Sequence, residues 1–93
     1  MADAITIRVL TDAGLALEDE AVSIVTPGEL GYLGILRNHA PLVTTLKPGT
    51  FTWRRPSGEA RALFVTEGLL EITHNRLTVQ TGTVTDANRP TSD

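Results

Sequence analysis

The chain has 93 residues, no cysteine and a formal net charge of −3 at pH 7. This length is that of one domain, and surface scaling predicts that roughly 64% of the unfolded chain's surface is buried on folding. Without cysteine there is no disulfide framework and no thiolate site, and the scattered basic residues argue against nucleic-acid binding. No apolar run approaches the length of a membrane-spanning helix, and the N-terminus lacks the features of a signal peptide. We therefore expect a cytoplasmic protein that meets a membrane only through another protein.

The first quarter of the chain has the two-residue period of β-structure. In residues 5–10, the β-branched Ile5, Ile7 and Val9 alternate with Thr6, Arg8 and Leu10, which predicts a strand with one buried face. A turn is expected at residues 11–14, then a short strand at 15–17 and an acidic turn at 18–20. Residues 21–26 form the next predicted strand, which is apolar on both faces.

Residues 31–49, GYLGILRNHAPLVTTLKPG, combine glycine, proline and very little charge. Gly31 and Gly34 would allow backbone conformations that side chains forbid. A turn around Asn38 leads into a strand over Leu42–Leu46. The residues expected to fix this segment are Gly34, Pro41, Pro48 and Gly49. Replacing Gly34 or Pro41 is expected to disturb it more than any change of charge in the chain.

The second half continues the alternation. Phe51 and Trp53 share one face and are expected to be core or half-buried residues of a sheet. Residues 55–59 form a hairpin loop, and Gly68 suggests a bulge or bend. Further short strands are expected at residues 60–66, 70–73 and 77–80. About eight to ten short strands without an amphipathic helix indicate a β-sandwich or a barrel.

Several short motifs follow one another in a fixed order. They are Pro27-Gly28, Leu33-Gly34-Ile35-Leu36, Asn38-His39-Ala40-Pro41-Leu42, Leu46-Lys47-Pro48-Gly49, Val65-Thr66-Glu67-Gly68 and Asn75-Arg76-Leu77. In this order they resemble the ε subunit of F-type ATP synthases, whose mitochondrial counterpart is called δ. The resemblance covers roughly residues 4–82. It implies an all-β fold, a compact β-sandwich of about ten short strands in two sheets. The predicted domain is residues 1–82, followed by a polar tail at 83–93.

The resemblance also implies a function. A central-stalk subunit of this kind couples ion-driven rotation of the c-ring to the γ subunit and the catalytic head, with no active site and no cofactor of its own. It lies peripherally at the cytoplasmic face of the inner or plasma membrane. One face of the sandwich would bind γ, and one end would contact the c-ring through Glu29, Leu30, Gly31, Tyr32, Asn38 and His39. Which face binds γ, and whether protons or sodium ions drive the complex, stay open.

Two positions depart from the family pattern. Many relatives carry an acidic residue where Tyr32 stands, and Glu29 is the nearby substitute. Many ε subunits also continue into two α-helices that bind ATP or inhibit hydrolysis, whereas residues 82–93 here are polar and contain Pro90. The tail is interpreted as naturally short rather than cut, and ATP-dependent inhibition is not carried over.

The candidate reactive residues favour structural or contact roles. His39 is expected to hydrogen-bond the backbone of its turn, with a contact to a partner protein as the alternative, because general acid–base catalysis needs a second positioned group. His74 is expected to be solvated, and Ser57 lies in an exposed hairpin. Two distant histidines without cysteine make no zinc site. The acidic residues have no calcium-loop spacing and are expected to be solvated residues that protect an edge; they are Asp12, Glu18, Asp19 and Glu20.

Two further alternatives remain. Leu30 and Tyr32 either fold back over the core as a lid or form an exposed protein-contact tip. The whole chain could instead be a free-standing sandwich that binds a peptide or a sugar, although such modules usually show several exposed aromatics around a groove. A small hydrolase that uses His39 has no supporting set of residues.

Overall fold

The computed structural model describes residues 4–87 and contains ten β-strands and no helix within that range. The prediction of an all-β protein with about ten short strands is confirmed. The strands are β1 (Ile5–Thr11), β2 (Gly14–Ala21), β3 (Ser23–Gly28), β4 (Gly31–Leu36), β5 (Leu42–Leu46), β6 (Gly49–Arg54), β7 (Ala60–Val65), β8 (Gly68–Thr73), β9 (Arg76–Thr81) and β10 (Val84–Asp86).

The strands form two five-stranded sheets. The first sheet has the order β2-β1-β9-β8-β5, and the second has the order β10-β7-β6-β3-β4. Every pairing is antiparallel except that of β1 with β9. The chain begins in the first sheet, crosses to the second after β2 and returns for β5, β8 and β9, so both sheets contribute to one interior.

The core lies between the sheets and is almost entirely aliphatic. Its aromatic pair is Phe51 and Trp53, whose ring centroids lie 5.7 Å apart at an interplanar angle of 54°. The predicted shared, buried face of these two side chains is confirmed. The other buried hydrophobic residues are Ile5, Ile7, Val9, Ala21, Ile24, Ile35, Leu46, Leu63, Val65, Leu70, Ile72, Leu77 and Val79. Such close packing makes the sandwich stiff.

The predicted acidic turn at residues 18–20 is wrong. These residues belong to β2, which runs without a break from Gly14 to Ala21. They pair with β1, and Arg8 lies 3.5 Å from Glu18 in an exposed ion pair. A charged strand is tolerated here because β2 is the edge of its sheet, where charge opposes further pairing. The predicted strand at 21–26 correspondingly begins later, at Ser23.

The second sheet extends past residue 82, where the sequence suggested that the tail begins. β10 pairs Val84 with Val65 and Asp86 with Leu63, and Val84 packs against the core. This three-residue edge strand is held by main-chain hydrogen bonds, which the polar composition of the segment does not reveal. Residues 88–93 of the predicted tail lie outside the described residues.

The glycines differ in how much space surrounds them. A Cβ on Gly34 would meet only the Ile24 carbonyl oxygen, at 4.0 Å, and its φ is not positive. The expectation that Gly34 needs a conformation forbidden to side chains is therefore wrong. A Cβ on Gly68, by contrast, would collide with the Gln80 carbonyl group, whose carbon lies 2.8 Å away. Gly31 does require its freedom, because its φ is +126°.

Candidate partner-binding surfaces

The turn between β3 and β4 forms an exposed apolar tip, which consists of Glu29 and Leu30. Gly28 pairs with Gly31, so only these two residues make the turn. Leu30 is 99% exposed, and the alternative in which it folds back as a lid on the core is therefore wrong. A fully exposed leucine at the end of a rigid hairpin has the chemistry of a contact residue.

The tip is braced against both sheets. The Glu29 backbone N–H donates to Thr44 Oγ1 at 3.4 Å, and the Thr45 hydroxyl donates to the Glu29 carboxylate. These bonds tie the tip, which belongs to the second sheet, to β5 in the first. The carboxylate of Glu29 is thus hydrogen-bonded to Thr45 while the residue stays exposed to solvent.

Tyr32 lies across the outside of the second sheet. Its hydroxyl accepts a hydrogen bond from the Thr50 N–H at 3.0 Å, while 59% of the residue is exposed. Gly49 makes this position possible, because a Cβ there would collide with the Tyr32 hydroxyl and lie 3.0 Å from Pro27 Cγ. The turn glycine predicted from the Pro48-Gly49 motif therefore serves a close approach of side chains.

The structure separates the two groups of predicted c-ring residues. Glu29, Leu30, Gly31 and Tyr32 lie at the start of β4, whereas Asn38 and His39 follow its last residue, Leu36. A six-residue strand is about 20 Å long. The expectation that both groups share one end of the sandwich is therefore wrong, since a strand carries the chain from one end to the other.

At the second end, two asparagines form a clasp between loops. The Asn38 N–H donates to Asn75 Oδ1 at 2.6 Å, and Asn75 Nδ2 donates to Asn38 Oδ1 at 3.2 Å. Both residues have positive φ, 67° and 60° respectively. The Asn75 carbonyl oxygen also accepts from the Thr6 N–H at 2.9 Å. The clasp joins the loop after β4 to the β8–β9 turn and to β1.

The histidines behave as their surroundings predict. His39 Nδ1 lies 2.6 Å from the Ala40 carbonyl oxygen, which fits donation by a ring N–H to the backbone. This contact matches the expected backbone role in the turn. His74 is exposed at φ 51°, with Nδ1 at 2.9 Å from the Thr73 hydroxyl. Among residues 4–87 no group of three potential ligands could hold a metal ion.

A partly buried polar network at the same end was not predicted. Trp53 Nε1 donates to Asp19 Oδ2 at 2.9 Å, and Arg55 Nε lies 3.1 Å from the same oxygen as an ion pair without good hydrogen-bond geometry. Arg55 Nη1 also lies 3.0 Å from Glu59 Oε1. The Asp19 side chain is only 14% exposed, so the prediction that it is solvated is wrong.

The environment of Asp19 favours its charged form. Burial by itself raises the pKa of Asp19, but hydrogen bonds from Trp53 and from the Glu20 backbone, together with the charge of Arg55, leave the pKa below its ordinary value of 3.8. The pKa of Arg55 is raised, mainly by its hydrogen bond to Glu59 and next by the negative charge of Asp19. The tryptophan could have signalled this network, because a buried indole N–H needs an acceptor.

The outer faces of the two sheets differ in charge. In the described strands of the second sheet, the outward side chains include one charged residue, Arg54. The others are Ser23, Val25, Tyr32, Leu36, Thr50, Thr52, Ala60, Ala62, Phe64 and Thr85. We call this surface, centred on Val25, Thr52 and Ala62, the neutral face. The outward face of the first sheet carries Arg8, Glu18, Glu20, Glu71 and Arg76.

The neutral face has the composition of a protein contact surface. Val25 is 46% exposed and Phe64 is 51% exposed, although both lie on paired strands. Depletion of charge around partly exposed apolar groups is typical of the centre of an interface. No helix in the described part of the chain is long and apolar enough to cross a bilayer.

The two five-stranded sheets, the exposed Leu30 at one turn and the nearly uncharged outer face of the second sheet describe a β-sandwich domain without a helix among residues 4–87. The model of the ATP synthase δ/ε chain β-sandwich domain matches residues 4–87. The chain belongs to this family, and the predicted resemblance is confirmed. The relatives that it matches are named ATP synthase ε chains, which are non-catalytic subunits of that complex.

Individual relatives agree with this assignment. The chain is 34% identical over 79 residues to the ATP synthase ε chain of Desulfosudis oleivorans, which covers 85% of this chain and 59% of the relative. It is 33% identical over 89 residues to the ε chain of Desulfitobacterium hafniense, which covers 96% of this chain and 67% of the relative. The chain thus spans about three-fifths to two-thirds of the length of these relatives.

Solved structures share the fold. A chain in the mitochondrial ATP synthase of Euglena gracilis (OSCP/F1/c-ring in rotational state 1) superposes with a TM-score of 0.85 at 16% identity, covering 92% of this chain and 55% of that one. A chain in the central stalk and c-ring of the Tetrahymena thermophila enzyme gives a TM-score of 0.71 at 16% identity, covering 87% and 65%.

Proposed function

We propose that this chain is a central-stalk subunit of an F-type ATP synthase that couples rotation of the c-ring to γ and the catalytic head. The family assignment supports this proposal, and the observation that carries it is the pairing of a neutral face with a separate, braced apolar tip. Two distinct surfaces on one stiff body are what a coupling subunit requires. The described residues contain no helix, so the proposal depends on the sandwich alone.

The neutral face is assigned to γ. Its apolar and hydroxyl side chains can be buried without desolvating several charges, which a partner would otherwise have to compensate. The outer face of the first sheet carries five charged residues, and burial there would cost more. The choice of face, which the sequence leaves open, therefore follows from the difference in charge.

The tip is assigned to the c-ring. Leu30 is the most exposed of the large hydrophobic residues, and two hydrogen bonds join Glu29 to β5 and brace the hairpin. Asn38 and His39 lie about one strand length away, so they are assigned to support of the opposite end rather than to the same contact. The subunit would thus be peripheral, at the cytoplasmic side of the membrane.

A matched pair of variants tests the assignment of the face. Val25→Lys places a charge at the centre of the neutral face, and Leu69→Lys places one at a position on the other sheet with similar exposure, 49% against 46%. The tagged chains are used to recover partners from solubilised membranes of the source organism. The wild type and Leu69→Lys should recover γ with α, β and c, and Val25→Lys should lose them at least tenfold. Recovery of none of these subunits by the folded wild type would contradict the proposal and favour a free-standing binding module.

A further inference from the structure

Two threonines join the places where the chain passes between the sheets. Thr66 directly follows β7 of the second sheet, and Thr81 is the last residue of β9 in the first sheet. The Thr66 N–H donates to Thr81 Oγ1 at 3.0 Å, and the Thr81 hydroxyl donates to the Thr66 carbonyl oxygen at 2.8 Å. The Thr81 side chain, in a residue that is only 5% exposed, thus binds both main-chain groups of Thr66.

The two hydroxyls use all of their hydrogen-bonding capacity. A threonine hydroxyl can donate one hydrogen bond and accept two. Because Thr81 donates to the Thr66 carbonyl oxygen, the 2.9 Å contact between the hydroxyls is donated by Thr66. Thr66 Oγ1 in turn accepts the N–H groups of Gly82 and Thr83, at 3.1 and 3.2 Å. In such a saturated network each bond orients the next, which favours a single arrangement.

The Thr66 hydroxyl also extends the ladder between β7 and β10. The Ala87 N–H donates to the Ala62 carbonyl oxygen at 3.1 Å. Hydrogen-bonded pairs recur at every second position of an antiparallel ladder, so the register places Thr83 opposite Thr66 in the last such pair. The Thr66 carbonyl oxygen is already bonded to Thr81, and the Thr83 N–H binds the Thr66 hydroxyl instead. One side chain therefore holds the start of this segment.

Little else holds residues 82–87, which we call the strap. β10 is only three residues long and lies at the edge of its sheet, beside β7. Val84 is the strap residue that packs against the core cluster, while Thr83, Thr85 and Asp86 are exposed. Segments with few buried contacts open locally at a lower free energy than global unfolding requires. The strap therefore has the properties of a separate opening unit.

We propose that the strap opens and closes on the edge of β7 as one unit, and that the Thr66 hydroxyl keeps it closed. The strap forms one margin of the neutral face, since Thr85 lies opposite Phe64, which is 51% exposed. A partner that covers these two residues together binds the closed form, and its binding suppresses opening. Only the identity of that partner, γ, rests on the proposed function.

Amide hydrogen exchange of the purified chain, measured residue by residue by NMR, tests the opening. The amides of Thr83, Thr85 and Ala87 should share one opening step, with protection roughly tenfold or more below that of β7 amides that face β6. Leu63 and Val65 supply those reference amides. Low concentrations of urea should accelerate exchange at the reference amides and hardly affect the strap, because opening the strap exposes little surface. Equal protection and equal urea dependence in both groups would overturn the proposal.

A matched pair of variants tests the role of the hydroxyl. Thr66→Val keeps the shape of the side chain but removes the acceptor of two N–H groups, so exchange in the strap should accelerate roughly tenfold. Thr66→Ser keeps the hydroxyl and should stay within about threefold of the wild type. Unchanged exchange in Thr66→Val, or equal acceleration in Thr66→Ser, would contradict the assigned role of the hydroxyl.

The wild-type measurement decides whether the strap opens separately, even where a variant fails to fold. All of these experiments use the chain without γ, whereas the γ assignment is tested at Val25. The two proposals can therefore fail independently.

Discussion

Single residues in this sandwich matter through close approach rather than through chemistry. At Gly68 the backbone of β8 runs against the Gln80 carbonyl group of β9 with no space for a methyl group. At Gly34, on β4 at the edge of the second sheet, the nearest atom to a Cβ is 4.0 Å away. The two glycines look alike in the sequence, but their environments are opposite.

Gly68→Ala should therefore lower the free energy of unfolding by about 2–3 kcal/mol, since two backbones must move apart. Gly34→Ala is the control and should change it by less than about 1 kcal/mol in either direction. Urea denaturation followed by Trp53 fluorescence measures both. A larger loss in Gly34→Ala than in Gly68→Ala would restore the original sequence-based expectation for Gly34.

The Asp19 carboxylate should make stability depend on pH in the acid range. Its folded-state pKa lies below the ordinary value of 3.8, so the folded state binds the proton less readily than the unfolded state. The contribution to stability is thus fully present above 3.8 and is lost as the pH falls through the folded value. Asp19→Asn keeps an acceptor for Trp53 but removes the charge, and should cost about 1 kcal/mol at pH 7.

Urea denaturation of wild type and Asp19→Asn between pH 2 and pH 7 tests this linkage. The difference between the two free energies of unfolding should shrink below pH 4 and disappear at the lowest pH. A difference that stays constant down to pH 2 would show that the Asp19 charge makes no contribution through its pKa.

At the scale of the elements, the Asn38–Asn75 clasp joins two loops that lie outside the strands of both sheets. Its two side-chain hydrogen bonds and its two positive φ angles occur in the same pair of residues. Asparagine tolerates this left-handed conformation better than other residues with a Cβ. The clasp thus connects the turn that contains His39 to the β8–β9 hairpin.

Asn75→Ala should destabilise the protein by about 1–3 kcal/mol, because it leaves the Asn38 N–H without its partner and strains an alanine at positive φ. Asn75→Gly relieves the strain and should recover part of this loss. Chemical denaturation gives the stability, and hydrogen exchange at the Asn38 amide should be faster in both variants. An unchanged exchange rate in Asn75→Gly would mean that the clasp does not hold the loop.

At the scale of the whole molecule, the separation of surfaces predicts separable defects. Leu30→Asp changes a side chain that is 99% exposed, so its free energy of unfolding should stay within about 0.5 kcal/mol of the wild type. In the proposed complex it should retain γ but lose the c-ring in pull-downs from solubilised membranes. Val25→Lys should lose γ together with α and β, and with them the co-recovered c-ring. Loss of γ in Leu30→Asp would contradict the assignment of the tip to the c-ring and of the neutral face to γ.

The sequence by itself determined most of the strands and their faces, although not the second half of β2 or β10. Alternation marked Phe51 and Trp53 as a buried pair, the Leu42–Leu46 strand was predicted with its observed bounds, and the ordered glycine and proline motifs indicated the family. These features are local, since a strand's period and a turn's residues are read within a few positions of one another. The hydrogen bond of His39 to its own turn is local in the same sense.

Only the tertiary structure decided what depends on distant neighbours. The acidic residues 18–20 suggested a turn in the sequence, but in the structure they belong to β2, which pairs with β1 at the edge of the sheet. Asp19 contacts Trp53 and Arg55, which lie more than 30 positions away in the chain. The predicted c-ring residues lie at two ends of the sandwich instead of one, because β4 carries the chain from one end to the other. Strand order sets these relations, and strand order follows from packing the whole core together, which no local pattern records.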